Sequence, residues 1–334
     1  MRLNFHNAAR WMHCRLSVHP AERPVDWSTD AANEGTAAAR IADGVLFGTA
    51  HSVDDYAGET IAGVDVTMEM LEHVAGYIDA MHTLTYGAVE FGFEHEAAFG
   101  PVTGRVDAFA RYPHKLIVGD LKYGFRPVDV IDNWQLTLAA LALSKGEPEI
   151  MFVIYQPRIG RTNPMATHTI SIYELHEKYA EVMERLRTIR EPSVGVPDTH
   201  CYGCAHAAEC VALGVEIRNA DLMDDLADLR RIHSMIKTRI AATEADMLTR
   251  IEGGEHIPGW YVGTKSGNRR FRVDPATVEM LTGVPASKTV PLSPSELERE
   301  GANKQLVNGL TYRPEGKSGL VEWSAKRVAN MFKR

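Results

Sequence analysis

The sequence predicts a mixed α/β fold: a central β-sheet flanked by helices, followed by a helical and small α+β C-terminal extension. Three observations predict it. Segments with apolar residues at helical spacing are interspersed with short runs of period two. Their order is helices, three strands, helix, strand, strand, helix, which suits one sheet covered by helices. One run, Glu149 to Pro157 (EIMFVIYQP), is apolar almost throughout, as expected of a central strand buried on both faces.

Taken in order, Arg10 to Cys14 ends a first helix or turn, and Pro20 and Pro24 mark a loop. Asn33-Glu34-Gly35-Thr36 leads into an alanine-rich helix running to Asp43. Val64 to Met81 has helical spacing. Tyr86 to Glu96 reads as a strand. Gly104 to Gly124 reads as a hairpin turning at Tyr112-Pro113-His114. Val128 to Leu143 is a helix with Trp134, Leu138 and Leu141 on one stripe. Thr167 to Ile172 alternates as a strand does, and Tyr173 to Arg190 is a charged amphipathic helix. Pro192 to Pro197 breaks the pattern. Asn219 to Ile251 is a long charged helix. Gly259 to Val262 and Arg269 to Val273 suggest a hairpin around Ser266-Gly267-Asn268, with helices near Pro275–Leu281 and Ser293–Glu300 after it. A chain of 334 residues has room for two domains, expected at 1–215 and 216–334.

The chemistry gathers in the hairpin. Asp120 and Lys122 lie two apart on a strand and share a face, and pairing brings Asp107 beside Asp120. Two carboxylates and an ammonium suit a hard divalent cation and a phosphate, and the Leu121 carbonyl adds an oxygen ligand.

Three of four cysteines share one window, Cys201-x-x-Cys204 and Cys210, and Cys14 supplies a fourth. In a reducing compartment such a set holds metal more readily than disulfides. Four thiolates suit Zn²⁺ or an Fe–S cluster, and His200 and His206 keep a Cys₃His zinc site open.

The net charge of −8 argues against a passive nucleic-acid coat, while leaving room for a nuclease with a local basic surface. Lys265 to Arg272 and Lys326 to Arg334 are the basic clusters. No apolar run reaches a membrane span, and the N-terminus lacks a signal-peptide core, so a cytoplasmic protein without a membrane partner is expected.

The set Gly104-x-x-Asp107, Asp120-x-Lys122 and a following helical Gln135 resembles the PD-(D/E)XK nuclease superfamily. Its closest branch looks like the RecB-like nucleases. Within that branch the chain is similar to a phage and prophage family often encoded beside single-strand annealing proteins. Further blocks carry the likeness: Arg10-Trp11 to Cys14, Glu34-Gly35-Thr36, Val89-Glu90, Gly119 to Gly124, Trp134-Gln135-Leu136, Gln156-Pro157-Arg158, Pro258-Gly259-Trp260 and Ser293 to Glu298. The resemblance implies a restriction-endonuclease-like core. It implies Asp107 and Asp120 as ligands of Mg²⁺ or Mn²⁺, Lys122 as the catalytic lysine, and Gln135 as a site-orienting or DNA-contacting residue. Glu90 occupies a family acidic position. The AddB-like iron–sulfur branch places one cysteine before the core and three after it around a structural [4Fe–4S] cluster, an arrangement that Cys14, Cys201, Cys204 and Cys210 match.

Two positions depart from the family. Ala39 stands where a histidine ligand is usual, with His51 or Glu34 as candidate substitutes, and Ala139 stands where a tyrosine is usual. The expected function is a Mg²⁺- or Mn²⁺-dependent DNA exonuclease in phage-type recombination. It would make sequence-independent backbone contacts, supply single strands to an annealing protein and be open to oligomerisation. The alternative is a catalytically weakened or inactive DNA-binding scaffold on the same fold.

Overall fold

The computed structural model describes residues 3–25, 27, 30–159, 163–219, 225–264, 270–271, 275–285, 293–312 and 318–322. The chain divides into two compact units, Met1–Thr243 and Glu244–Arg334.

The first unit opens with α1 (Ala8–His13) and α2 (Asp30–Leu46). A two-stranded ribbon, β1 (Thr60–Ile61) with β2 (Val64–Asp65), precedes α3 (Met68–Thr85). Helical spacing places the start of that helix at Val64. The ribbon claims Val64 and Asp65 instead, and the helix begins after Thr67, whose hydroxyl accepts the Met70 N–H at 3.1 Å.

Five strands form the central sheet: β3 (Glu90–Phe99), β4 (Val102–Tyr112), β5 (Lys115–Leu121), β6 (Glu149–Tyr155) and β7 (Met165–Ser171). They are hydrogen-bonded in that order, and only the β5–β6 pair is parallel. A parallel neighbour needs a crossover, and α4 (Trp134–Leu143) lies within it. The helix expected from Val128 thus starts six residues later. Asn133 caps it, its side-chain oxygen accepting the Gln135 and Leu136 N–H groups. The buried Gln156 amide holds the preceding loop: its Nε2 donates to the Gly124 and Arg126 carbonyls, and its Oε1 accepts from Val128 N.

The sheet is covered on both faces. Leu116, Val118, Ile150, Phe152 and Ile154 pack with α1, α4 and α5 (Ile172–Thr188). Ile117, Val153 and Tyr155 pack with α2 and α3. The strict alternation along β5 and β6 explains why β6 reads as a continuous apolar run. After the cysteine window come α6 (Val211–Arg218) and α7 (Leu226–Glu252). Arg231 on α7 pairs with Glu216, and Arg239 donates to the carbonyls of Ala207 and Cys210, which ties the first part of α7 to the cysteine loop.

The second unit contains β8 (Trp260–Thr264), β9 (Arg270–Phe271), α8 (Pro275–Thr282), α9 (Pro294–Arg299), α10 (Lys304–Leu310), β10 (Thr311–Tyr312) and β11 (Ser318–Glu322). Among the described residues, the two expected strands do not pair with each other. Residues β8 and β9 would have paired locally, but β8 pairs with β11 and β9 with β10. A small core of Val278, Leu297, Ala302 and Val307 holds the helices. Residues 266–268 of the expected turn, most of the basic stretch 265–272 and the basic tail 326–334 lie outside the described residues. Among the described residues no helix is long and apolar enough to cross a membrane.

One glycine sets the position of the N-terminus. A Cβ at Gly104 would lie 2.3 Å from the ring of Phe5, which is fully buried. Phe5 N donates to Thr103 O at 3.2 Å, so the segment is pinned against β4 by backbone as well as by its ring. Gly104→Ala is therefore expected to cost about 1–3 kcal/mol in a chemical melt, the usual range for overfilling a core. An unchanged midpoint would show that the segment can give way.

Candidate functional site

The β4–β5 ladder runs from Tyr112–Lys115 to Ala108–Gly119 and then stops. Asp107 and Asp120 are the next pair in register. Here the strands part, and Asp107 Oδ2 accepts the Leu121 N–H at 2.9 Å. Asp120 is 3% exposed. The parallel pairing continues past it, Lys122 N donating to Tyr155 O at 2.9 Å. Lys122 Nζ lies 2.6 Å from Asp120 Oδ2 and donates to Gln135 Oε1 at 2.9 Å. Gln135 Nε2 donates to Asp120 Oδ1 at 2.5 Å. Carboxylate, ammonium and amide thus close a triangle, with Gln135 held in the first turn of α4 by the Asn133 cap. The structure brings Asp107, Asp120, Leu121, Lys122 and Gln135 together.

Charge is unbalanced there. Burial and then the Asp120 charge raise the Asp107 pKa well above the ordinary carboxylate value. Burial works against the Lys122 ammonium, but Asp120 and Asp107 outweigh it, so its pKa is raised and it stays protonated. The second oxygen of Asp120, Oδ2, is buried with the Lys122 ammonium as its partner.

Three further groups join that the sequence did not single out. His6 lies at the exposed edge, where Gln135 Nε2 donates to its Nδ1 at 3.1 Å. Partial desolvation and then the Lys122 charge lower its pKa. Glu94, on β3, is the residue whose register matches Asp107, but the ladder skips this pair and Glu94 has φ +45. It is ion-paired with Arg105 and shares a hydrogen bond with Asp43 on α2. Burial and then Asp43 push its carboxyl up to about 7. Asp43 lies four residues, one helical turn, after Ala39 on α2, on the same helix face.

Other expectations are corrected. Glu90 does not reach the site: it pairs with Arg111 and Lys145 at the other end of the strand, and buried Arg111 also pairs with Glu147. Glu34 is committed to Arg158, whose guanidinium lies 3.8 Å from the Phe125 ring centroid and 4.8 Å from that of Tyr123. His51 is exposed, in a turn where its N–H donates to Asp55. Neither replaces a ligand at Ala39. Ala139 is buried in the core beneath the sheet.

The four cysteines line one small cavity, with His200 and His206 at its wall. All four are free thiols. Cys14 follows α1 and Cys210 caps α6. Val196 N donates to Cys14 Sγ at 3.3 Å, and Asp198 N to Cys201 Sγ at 3.4 Å. Burial pushes the Cys201 thiol up to about 12 and raises that of Cys204, while Arg10 beside Cys204 and Arg185 near Cys14 offer compensating charge. Each histidine spends one ring nitrogen on a carbonyl, His200 on Val196 and His206 on His19. Among the described residues, no group of three or more His, Cys, Asp or Glu side chains is drawn together to hold a metal ion as it stands.

Two solved structures are similar in part. An alkaline exonuclease from Laribacter hongkongensis shares 13% identity, with 56% of this chain and 89% of that chain covered and a TM-score of 0.25. The protein SSO0001 shares 15%, with 62% and 95% covered and a TM-score of 0.26. At such scores neither likeness bears on what this site does. A sequence-family model described as "Protein of unknown function (DUF2800)" matches residues 2–328, nearly the whole chain, and the chain belongs to that family.

Proposed function

We propose that this chain is a PD-(D/E)XK-type deoxyribonuclease that needs Mg²⁺ or Mn²⁺ and hydrolyses phosphodiester bonds at DNA ends. The observation that carries this reading is the closed Asp120–Lys122–Gln135 triangle beside Asp107. The donor set fits a hard divalent ion in kind. Two carboxylates, Asp120 buried and Asp107 half-buried, face one ammonium, which stands 2.6 Å from Asp120 Oδ2. Asp107, Asp120 and the Leu121 carbonyl would hold the ion. Once bound, it supplies positive charge to the phosphate oxygens and acidifies water. Lys122, kept protonated, adds its charge to the developing phosphate charge rather than acting as a free base. Gln135 fixes the angle between Asp120 and Lys122, and so acts as a positioning residue.

Cys14, Cys201, Cys204 and Cys210 are proposed to hold a [4Fe–4S] cluster, with structural Zn²⁺ as the alternative. The set fits by donor type, by the two N–H···S bonds and by the nearby guanidinium groups. In the same reading the enzyme acts in the cytoplasm during phage-type recombination, resecting ends for a single-strand annealing protein, alone or as an oligomer.

A second reading is a DNA-binding scaffold with little or no catalysis. It is favoured by Ala39, which offers no ligand where the resembling nucleases have a histidine. Linear and supercoiled DNA incubated with the full chain and Mg²⁺ or Mn²⁺ separates the two. The nuclease digests linear DNA, and Asp120→Ala loses that activity by ~10²-fold or more. DNA binding without digestion by the wild type favours the scaffold. Digestion that survives Asp120→Ala removes this site from the chemistry.

A further inference from the structure

A cleft of about 940 Å³ opens beside Lys122 and Gln135 and extends to Trp27 and Tyr202. Its walls come from three separate parts of the first unit: the N-terminal segment, the loop before α4 and the cysteine loop. Exposed aromatic faces line it. Phe125 is 61% exposed and Tyr202 44%. Large rings left open to water carry a hydrophobic cost that a partner would remove.

Guanidinium groups accompany these rings. Arg126 lies 4.9 Å from the Tyr202 ring centroid, and its Nη2 donates to Thr199 O at 3.1 Å. Arg158 covers one face of Phe125. Arg10 donates to Tyr202 O at 3.2 Å, and Trp27 leans on Tyr202 with centroids 5.2 Å apart while donating to Cys204 O. Three carboxylates also line the cleft: Asp132 pairs with Lys178, Asp198 accepts from Thr199 N and Asp129 from Ile131 N. Arg126 is exposed at the cleft, whereas Lys122 is paired with Asp120 and Arg158 with Glu34.

We infer that this cleft is the track for an unpaired DNA strand, with bases stacking on the Phe125 and Tyr202 layers and phosphates running past Arg10 and Arg126 toward Lys122. The inference rests on the nuclease reading for the identity of the ligand as DNA. Stacking is what selects the single strand. In a duplex the base faces are covered by their neighbours, so open rings and guanidinium planes gain nothing from them. An unpaired base adds a third layer to each arginine–ring pair at little ordering cost, because those pairs are already fixed.

The test uses the full chain, purified with whatever its cysteines hold and without added divalent ion. Fluorescence anisotropy compares a labelled 20-nucleotide oligo-dT with a blunt duplex of equal length. The single strand is expected to bind at least ~10-fold tighter. Phe125→Ala and Tyr202→Ala should each weaken it by about 5- to 150-fold, the contribution of one stacked base, and leave duplex binding nearly unchanged. Phe125→Trp should restore it. Because Tyr202 adjoins the cysteines, Phe125 carries the decision if Tyr202→Ala melts early. Equal affinity for both DNAs, or Phe125→Ala binding oligo-dT as the wild type does, overturns the track. Tight strand binding without digestion when Mg²⁺ or Mn²⁺ is added sinks the nuclease reading and leaves the track standing. Digestion without a strand preference does the reverse.

Discussion

Asp107→Asn is expected to reduce digestion of linear DNA by ~10³-fold or more while raising the melting temperature of the metal-free protein. The two effects have one cause. Asp107, half-buried, and Asp120, buried, are carboxylates opposite each other in register, and a single ammonium, Lys122, stands against both. One negative charge is left over in a poorly solvated place. Folding therefore favours a protonated Asp107 more than the unfolded chain does. For an acid whose pKa is raised on folding, the penalty is absent below the unfolded pKa, grows as pH rises past it and is full above the folded pKa. At neutral pH the penalty is present. An asparagine keeps an oxygen for the Leu121 N–H and removes the charge. Relief of such functional strain is commonly worth about 0.5–2 kcal/mol, or roughly 2–4 °C per kcal/mol for a unit of this size. The same charge would attract the divalent ion, so Mg²⁺ or Mn²⁺ should raise the melting temperature of the wild type and scarcely move the variant. Melts with and without metal, run beside digestion assays, check all three parts. A variant that melts lower yet keeps the metal shift would show that Asp107 is a structural group.

The part of the site that was legible in the sequence is the part made by local pairing. Asp107, Asp120 and Lys122 lie on one hairpin, so strand alternation and a short turn suffice to bring them together. Gln135 follows on the next helix, and its cap at Asn133 fixes which turn faces the strands. Glu90 was misread because Glu90 and Glu94 both have a place on the same strand, and composition does not tell which end faces the carboxylates. Register decides it: Glu90 meets Arg111, and Glu94 meets the gap at Asp107. The left-handed backbone at Glu94 has no signature in a residue that is not glycine or asparagine. His6 and Asp43 arrive by tertiary packing alone, the first because Phe5 fills the space over Gly104, the second because α2 lies against α3 and the sheet. The same limit explains the second unit, where β8 passes over its neighbour in sequence and pairs with β11.

Loss of the group proposed at the four cysteines should have the largest effect on stability. Cys14 lies immediately after α1, and the other three cysteines follow the central sheet, so a group held by all four would tie the two ends of the first unit together. A crosslink closing a loop that long removes on the order of 5 kcal/mol of chain entropy from the unfolded state. Without it, buried thiols remain that are costly to ionise, and nothing replaces the staple. At roughly 2–4 °C per kcal/mol, Cys14→Ala or Cys201→Ala should lower the melting temperature by ~10 °C or more. The damage should also reach the proposed active site. Released α1 would carry with it Phe5, His6 and Arg10, which seat the N-terminal wall of the cleft. Iron, sulfide and zinc analysis on protein purified without oxygen, followed by melts of the two variants, gives the answer without any activity measurement. Iron with equimolar sulfide identifies the cluster, and stoichiometric zinc replaces it with the alternative. A wild type free of both metals, or a Cys14→Ala variant that melts with it, would leave the two ends joined only by side-chain packing.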